Sequence, residues 1–331
     1  MPSIREVAKI AGVSPATVSR VMNGTAGVSP EKQRKVLEAI ERTGFVPNEV
    51  ARSLFKRSAK TIGLIIPSIQ NPYFTQLAGL LDEIAGREGY RLFLCSVGDD
   101  LAREKAALQM LVAMNADGVI LASGNEEIRR YLGACSVPVV ALDTYFDSPH
   151  VNAYIHCDYY SGGRMAAEHL LECGCRNIVC IKGPQQFFSA RKRYEGYRDV
   201  CREHGLVEQT VDCDYDFTAG LAVTEKLLSR YPDVDGIIAC NDIVAISIYK
   251  ILHKKSISVP DQIQLIGFDD IAPATLISPE LSTIRQPLRE MAEQAAALIL
   301  QPNADDPKGT EFVLPTALMV RETTRRKGKE Q

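Results

Sequence analysis

Side chains able to bond hydroxyl groups stand one by one at the ends of apolar runs. Asn71, Tyr73 and Phe74 follow the run Ile62–Ile66, Ser123 follows Gly118–Leu121, and Asp143 follows Val137–Leu142. Asn241 follows Gly236–Ala239 and Asp269 follows Ile263–Gly267. Arg191 lies at the start of a helical stretch beyond Ile178–Ile181 and the Gly183-Pro184 turn, and Gln286 sits in the turn Arg285-Gln286-Pro287. Carboxylates, amides, a guanidinium and flat rings together suit a polyhydroxylated ring. The polar groups pair with its hydroxyls, and Tyr73, Phe74 or Phe217 stacks on its C–H face. Any one Asn or Asp at such a place is as readily a helix cap. The set is stronger than its members because each falls where an open parallel sheet binds ligands, just beyond the carboxyl end of a strand.

The elements that must position these groups are legible as an alternation. The runs already named, with Leu92–Leu94, read as buried strands. Helical stripes fall between them at Phe74–Glu88, Leu101–Met114, Gly163–Leu171, Lys192–His204, Ala219–Leu228 and Val244–Leu252. Strand–helix alternation of this kind predicts parallel sheets with helices on both faces. Its restart after Asp158 predicts two such lobes. Leu288–Leu300 then returns the chain toward the first lobe.

The first 60 residues have a different character. Ser3 and Glu6 form a capping box, Ile4, Val7, Ala8 and Ala11 make one apolar stripe, and Gly12 supplies a tight turn. Ser14 caps a second helix with Pro15 at its first position, where the missing N–H costs nothing. Val18, Val21 and Met22 face inward, leaving Ala16, Thr17, Ser19, Arg20 and Asn23 outside. That is a helix-turn-helix whose second helix suits a major groove: Ser and Thr reach phosphates or base edges, Ala meets a thymine methyl, and Arg grips guanine. A third helix starts at Ser29-Pro30 and runs through Val36, Leu37 and Ile40 to Gly44. Asn48 can cap a further helix of about eight residues, too short to be stable alone in water. Asn48, Ala51, Arg52 and Leu54 are the DNA contacts expected there, with Arg52, Lys56, Arg57 and Lys60 available for phosphates and Leu54 an apolar residue suited to wedging a base step from the minor groove.

Charge follows the same division. The whole chain carries a formal charge of −3, but residues 1–60 hold eleven Lys/Arg against five Asp/Glu, and the remainder 27 against 36. A basic head on an acidic body is what a protein needs when one module touches phosphate. No apolar run approaches the about eighteen residues of a membrane span, and the N-terminus has no apolar signal segment, which implies a reducing cytoplasm. The nine cysteines then read as free thiols, and Cys173-Gly174-Cys175 lacks the neighbours a metal site needs, so no metal and no cofactor is expected. Phosphate-cradling glycine loops and a nucleophile elbow are absent, and the five histidines are scattered, which argues against an enzyme.

Ile4–Asn23 with Asn48-Glu49-Val50-Ala51-Arg52-Ser53-Leu54 resembles the LacI/GalR family of bacterial transcription regulators. So do Asn71-Pro72-Tyr73-Phe74, Asn241-Asp242 and Ile266-Gly267-Phe268-Asp269-Asp270. The likeness spans essentially the whole chain. It implies an all-α helix-turn-helix domain over 1–45 and a hinge over 46–60. It also implies a periplasmic-binding-protein-like α/β body over 61–331, with one lobe at about 61–157 and 288–315 and the other at about 158–287 and 316–331. By that resemblance Ala16, Thr17 and Arg20 contact operator DNA, Leu54 is the wedge, and Asp143, Arg191, Asn241 and Asp269 line an effector cleft. The partners implied are palindromic DNA, a second copy of the chain and a small sugar. Purines serve in some members, and one branch takes a phosphocarrier protein. Asp143-Thr144 stands where some pentose-binding relatives carry Asp-Arg, which leaves the sugar open. A sugar-binding transport protein shares the two-lobed body; the missing export signal and the basic head argue against it.

Overall fold

The computed structural model describes residues 2–22, 27–45, 58–301 and 308–325. The chain divides into two compact units, Met1–Ala59 and Lys60–Gln331. In the first, α1 (Ile4–Ala11), α2 (Pro15–Met22) and α3 (Pro30–Thr43) enclose Val7, Ala8, Ala11, Val18, Val21, Val36 and Ala39. Ser3 Oγ accepts from Glu6 N at 3.3 Å, and Ser14 Oγ accepts from Thr17 N at 3.2 Å. Gly12, at φ 66°, returns its N–H to the last carbonyls of α1 in the left-handed conformation that glycine adopts without strain. Two expectations change here. Ser29 makes no side-chain cap, so Pro30 alone marks the start of α3. Leu37 is 54 % exposed, because the buried stripe passes through Val36 and Ala39 and leaves residue 37 a hundred degrees away. Asn23, Asn48, Ala51, Arg52 and Leu54, with the expected hinge helix, lie outside the described residues.

The second unit holds two six-stranded sheets. In chain order its strands are β1 (Thr61–Ile66), β2 (Arg91–Ser96), β3 (Gly118–Leu121), β4 (Val139–Leu142), β5 (Ala153–Cys157), β6 (Ile178–Lys182), β7 (Gln209–Asp212), β8 (Gly236–Ile238), β9 (Gln264–Asp269), β10 (Ser282–Arg285), β11 (Thr310–Leu314) and β12 (Ala317–Met319). The helices are α4 (Pro72–Arg87), α5 (Leu101–Ala113), α6 (Arg129–Leu132), α7 (Tyr159–Glu172), α8 (Phe188–Glu203), α9 (Phe217–Arg230), α10 (Asp242–Lys254) and α11 (Leu288–Leu300). One sheet has the order β11-β5-β4-β3-β1-β2, all parallel; the other runs β12-β10-β9-β8-β6-β7. The expected purely parallel pair is modified at one edge, where β12 runs antiparallel to β10 with Thr283 opposite Met319. Strands buried on both faces explain the continuous apolar runs, as in Thr61–Ile66, where all but the first residue are buried.

The chain crosses between the lobes after β5, after β10 and between β11 and β12, and α11 packs on α4 in the first lobe. In the second lobe α7 and α8 cross at glycines. A Cβ on Gly163 would overlap the carbonyl of Arg193, and one on Gly196 would overlap that of Tyr160. The starts of both helices meet the first lobe, Tyr159 donating to Asp143 and Arg191 pairing with Glu126. Near the C-terminus, Arg321 is mostly buried, donating to Leu281 O and pairing with Asp270, and Arg325 pairs with Asp261. Among the described residues no helix is long and apolar enough to cross a membrane, and no cluster of His, Cys, Asp or Glu could hold a metal.

Candidate functional site

The carboxyl ends of both sheets face each other across a cavity of about 600 Å³. Of the expected ligand residues, Asn71, Phe74, Asp143 and Phe217 line it. Asn71 also holds its own helix, its Oδ1 accepting from Tyr73 N at 3.0 Å. Tyr73 is buried one layer down, its ring edge-on to Phe74 at 5.0 Å, and its hydroxyl donates to Gln286 Oε1 at 3.2 Å. Gln286 Nε2 in turn donates to Asp269 Oδ1 at 2.7 Å. Tyr73, Gln286 and Asp269 thus form one buried chain beneath the cleft rather than separate contacts on its wall.

Arg193, which the sequence reading passed over, completes that floor. Its guanidinium lies 3.8 Å from the centroid of Phe268, donates to Cys240 O at 2.8 Å, and stands 3.8 Å from Asp269 Oδ1. Arg191 is placed elsewhere. It is 38 % exposed on α8, pairs with Glu126 at 3.0 Å, and donates to the carbonyls of Gln185 and Gln186. Two residues along a helix turn the side chain by about 200°, so only one of these arginines can point inward. Ser123 and Asn241 are also off the wall. Ser123 is fully buried, its Oγ accepting from Asn125 N at 3.4 Å. Asn241 caps α10 through Val244 N and donates to Tyr215 O. Other wall residues were not anticipated: Asp99, Phe187, Phe188, Asp214, Tyr215 and Asp216.

The electrostatics of the floor follow from burial. Desolvation pushes the Asp269 carboxyl up to about 7, opposed by Arg193 and by the bond from Gln286. Asp143 is raised for the same reason, and Arg193 and the hydroxyl of Tyr159 restrain the rise. Asp242, fully buried behind the floor, is also raised by burial, with Asp269 adding to it; it accepts from Thr283 Oγ1 at 2.6 Å and from Ile271 N at 2.9 Å. Three of the strand-end residues hold a positive φ: Asp143 at 60°, Asp269 at 119° and Asp270 at 61°. Backbone held in sparsely populated regions costs on the order of 1–3 kcal/mol each and persists where surrounding structure enforces it. Here the strain turns two carboxylates, one from each lobe, toward the same floor.

In the first unit, Ser14, Ala16 and Arg20 are exposed along α2, while Thr17 and Ser19 are half-buried beside them. Thr17 Oγ1 and Ser14 Oγ are 2.9 Å apart, so these hydroxyls hold each other. The exposed strip is therefore short, with Arg20 as its cation.

A helix-turn-helix unit followed by a two-lobed body with an acid-lined, aromatic cleft defines a ligand-regulated DNA-binding protein. Residues 3–48 match the family model for bacterial regulatory proteins, lacI family, and residues 167–324 match a periplasmic binding protein-like domain. The ribose operon repressor of Halalkalibacterium halodurans is 37% identical over 326 residues, covering 98% of this chain and 98% of that protein. The chain belongs to the LacI family of bacterial regulatory proteins. Solved structures agree. A periplasmic binding protein/LacI transcriptional regulator from Alkaliphilus metalliredigens, complexed with D-xylulofuranose, is 34% identical over 80% of this chain and 99% of its own, with a TM-score of 0.73. The lac repressor dimer bound to operator and the anti-inducer ONPF is 25% identical over 98% and 99%, with a TM-score of 0.88.

Proposed function

We propose that this protein represses a sugar-utilisation operon and that a small, free sugar bound between the lobes relieves the repression. One observation carries the reading: Asp143 and Asp269, from opposite lobes, hang on one buried network under a cavity walled by carboxylates and aromatic rings. Such a pocket satisfies hydroxyls from both sides, so a polyhydroxylated ligand gains most when the lobes close on it. The relatives named for ribose and for D-xylulofuranose make a pentose the first candidate.

DNA is read by α2, with Ala16, Thr17 and Arg20 toward the major groove, and Leu54 serves as the minor-groove wedge. One such reader has few base contacts, so two copies of the chain on a palindromic operator are required for useful specificity. Phe93 and Leu94 on β2, with Met110 on α5, leave apolar surface exposed on the first lobe, which suits pairing of two chains there. The protein acts in the cytoplasm, on the nucleoid.

Operator binding by the full-length protein, titrated with pentoses, hexoses, disaccharides and purines, tests the reading. A pentose should weaken operator binding at least about fivefold, since a useful allosteric coupling is about 1–3 kcal/mol. Tighter operator binding with a purine, and no response to any sugar, would overturn it.

A further inference from the structure

The lobes meet outside the floor network as well, on one face of the cleft. There the first turn of α8 lies against the first lobe. Arg191 Nη2 meets Glu126 Oε1 at 3.0 Å, and Phe188 stands 5.0 Å from His156 and 5.7 Å from Tyr145. Phe187 covers Gly124 so closely that a Cβ on residue 124 would overlap its ring. Arg191 is held for this contact by its own lobe: its Nη1 donates to Gln186 O at 2.8 Å and to Gln185 O at 3.2 Å, leaving Nη2 to reach across. At the far edge of the cavity the sign reverses. Asp99 of the first lobe and Asp214 of the second both line the wall, and burial raises the Asp99 carboxyl, with the charge of Asp214 adding to the rise. Attraction at the first turn of α8 is thus opposed by like charge on the same cavity wall.

We propose that the first turn of α8 is a clasp between the lobes, and that Glu126 and Arg191 are positioning residues that set effector affinity through closure without touching the effector. This rests on the cleft being the sugar site. Its physics is that of a conformational equilibrium. Apparent affinity is the intrinsic affinity scaled by the fraction of molecules in the closed form, so any group that favours closure tightens binding in proportion. A half-exposed ion pair shifts such an equilibrium by up to about fivefold. Displacing Phe187 from Gly124 acts on packed surface and should shift it further.

The test uses the full-length protein with D-ribose as probe. Glu126→Gln, Arg191→Gln, the double reversal Glu126→Arg/Arg191→Glu, and Gly124→Ala are compared by calorimetric titration. The distance between labels on the two lobes is measured alongside by pulsed electron resonance without sugar. Each single charge variant should raise the Kd for ribose about two- to fivefold and lengthen the inter-lobe distance. The reversal should restore both, Gly124→Ala should exceed the singles, and operator affinity without sugar should hold or rise in the opened variants, since closure is the form that lets go of operator. An unaltered distance in all variants overturns the clasp. So does a loss of binding in Arg191→Gln at unchanged distance, which would make Arg191 a ligand contact. If ribose fails to bind the wild type, the sugar reading falls on its own, and the distances still decide the clasp.

Discussion

Tyr159, the first residue of α7, donates its hydroxyl to Oδ1 of Asp143, the residue that follows β4 in the other lobe. A carboxylate in the cleft wall is thereby oriented by a helix that belongs to the facing sheet. In the closed arrangement Asp143 is presented to the cleft already aimed.

Asp143→Asn should therefore lose the stabilisation that sugar gives, while operator affinity in its absence is retained. Hydrogen bonds to charged groups contribute about 1.5–3 kcal/mol, so binding should weaken at least about tenfold. Tyr159→Phe should show a smaller loss of the same kind. Thermal shift against sugar concentration measures both; an unchanged shift in Asp143→Asn would remove this residue from the site.

Arg193 and Asp269 should behave as one buried unit. Arg193→Met leaves the Asp269 carboxylate without its counter-charge and should destabilise the body by about 3–5 kcal/mol. Adding Asp269→Asn should recover much of that loss, though not sugar binding. Urea denaturation of the single and double variants gives the coupling. Additive losses would mean the two side chains do not interact.

Stability should depend on pH through Glu104. This residue on α5 is fully buried, and burial pushes its carboxyl up to about 7, with Asp99 adding and the hydroxyl of Ser123 opposing. An unfolded chain titrates the same group near pH ~4.3, so the folded form binds the proton more tightly. Its stabilising contribution is complete below that value and is lost as pH rises through about 7. Glu104→Gln should flatten the decline between pH 5 and 8 by up to about 1.4 kcal/mol per pH unit. Asp269, raised the same way, leaves part of the slope in place. Denaturation midpoints across that range would show an unchanged slope if Glu104 were not the source.

Phosphorylated sugars should be rejected. Asp99, Asp143, Asp214 and Asp216 line the cavity, and among the described residues no lysine or arginine lines it. An added dianion finds no counter-charge on that wall, so a pentose 5-phosphate should bind at least about tenfold more weakly than the free pentose. Calorimetry of the two side by side settles it, and equal affinities would contradict the charge reading of the wall.

In the DNA-binding unit, Arg20→Ala should cost about 1–3 kcal/mol of operator affinity and relax preference at one base pair. If the loss is instead uniform across sequences and the salt slope falls by about one, Arg20 contacts a phosphate.

How much of this could be read beforehand depended on whether a signal was local. Asp143 and Asp269 could be found because each closes a fully buried, largely apolar strand. Arg193 could not be separated from Arg191 without the phase of α8, and that phase is fixed by the glycine crossing of α7 and α8, a contact between distant parts of the chain. Asp214 was missed because β7, Gln209–Asp212, is an edge strand with little apolar signal. β5 was missed for a related reason: Ala153–Cys157 is wholly buried, but its Tyr154 and His156 interrupt the pattern. Tyr154 is satisfied there by Phe146 O and His156 by Glu311, partners invisible until the sheets are assembled.

The three crossings between the lobes all lie at one edge, where β11 and β5 end one sheet and β12 and β10 end the other. They form the spine of a book, which permits opening about one axis and resists twist. Five strand spacings separate that spine from β2 and β7, roughly 24 Å at the usual spacing. An angular change of a few degrees at Asp143 and Asp269 is therefore amplified by leverage along the outer margin. Displacement is greatest on β2, where Phe93 and Leu94 are exposed, so whatever docks there would register sugar binding as movement rather than as contact.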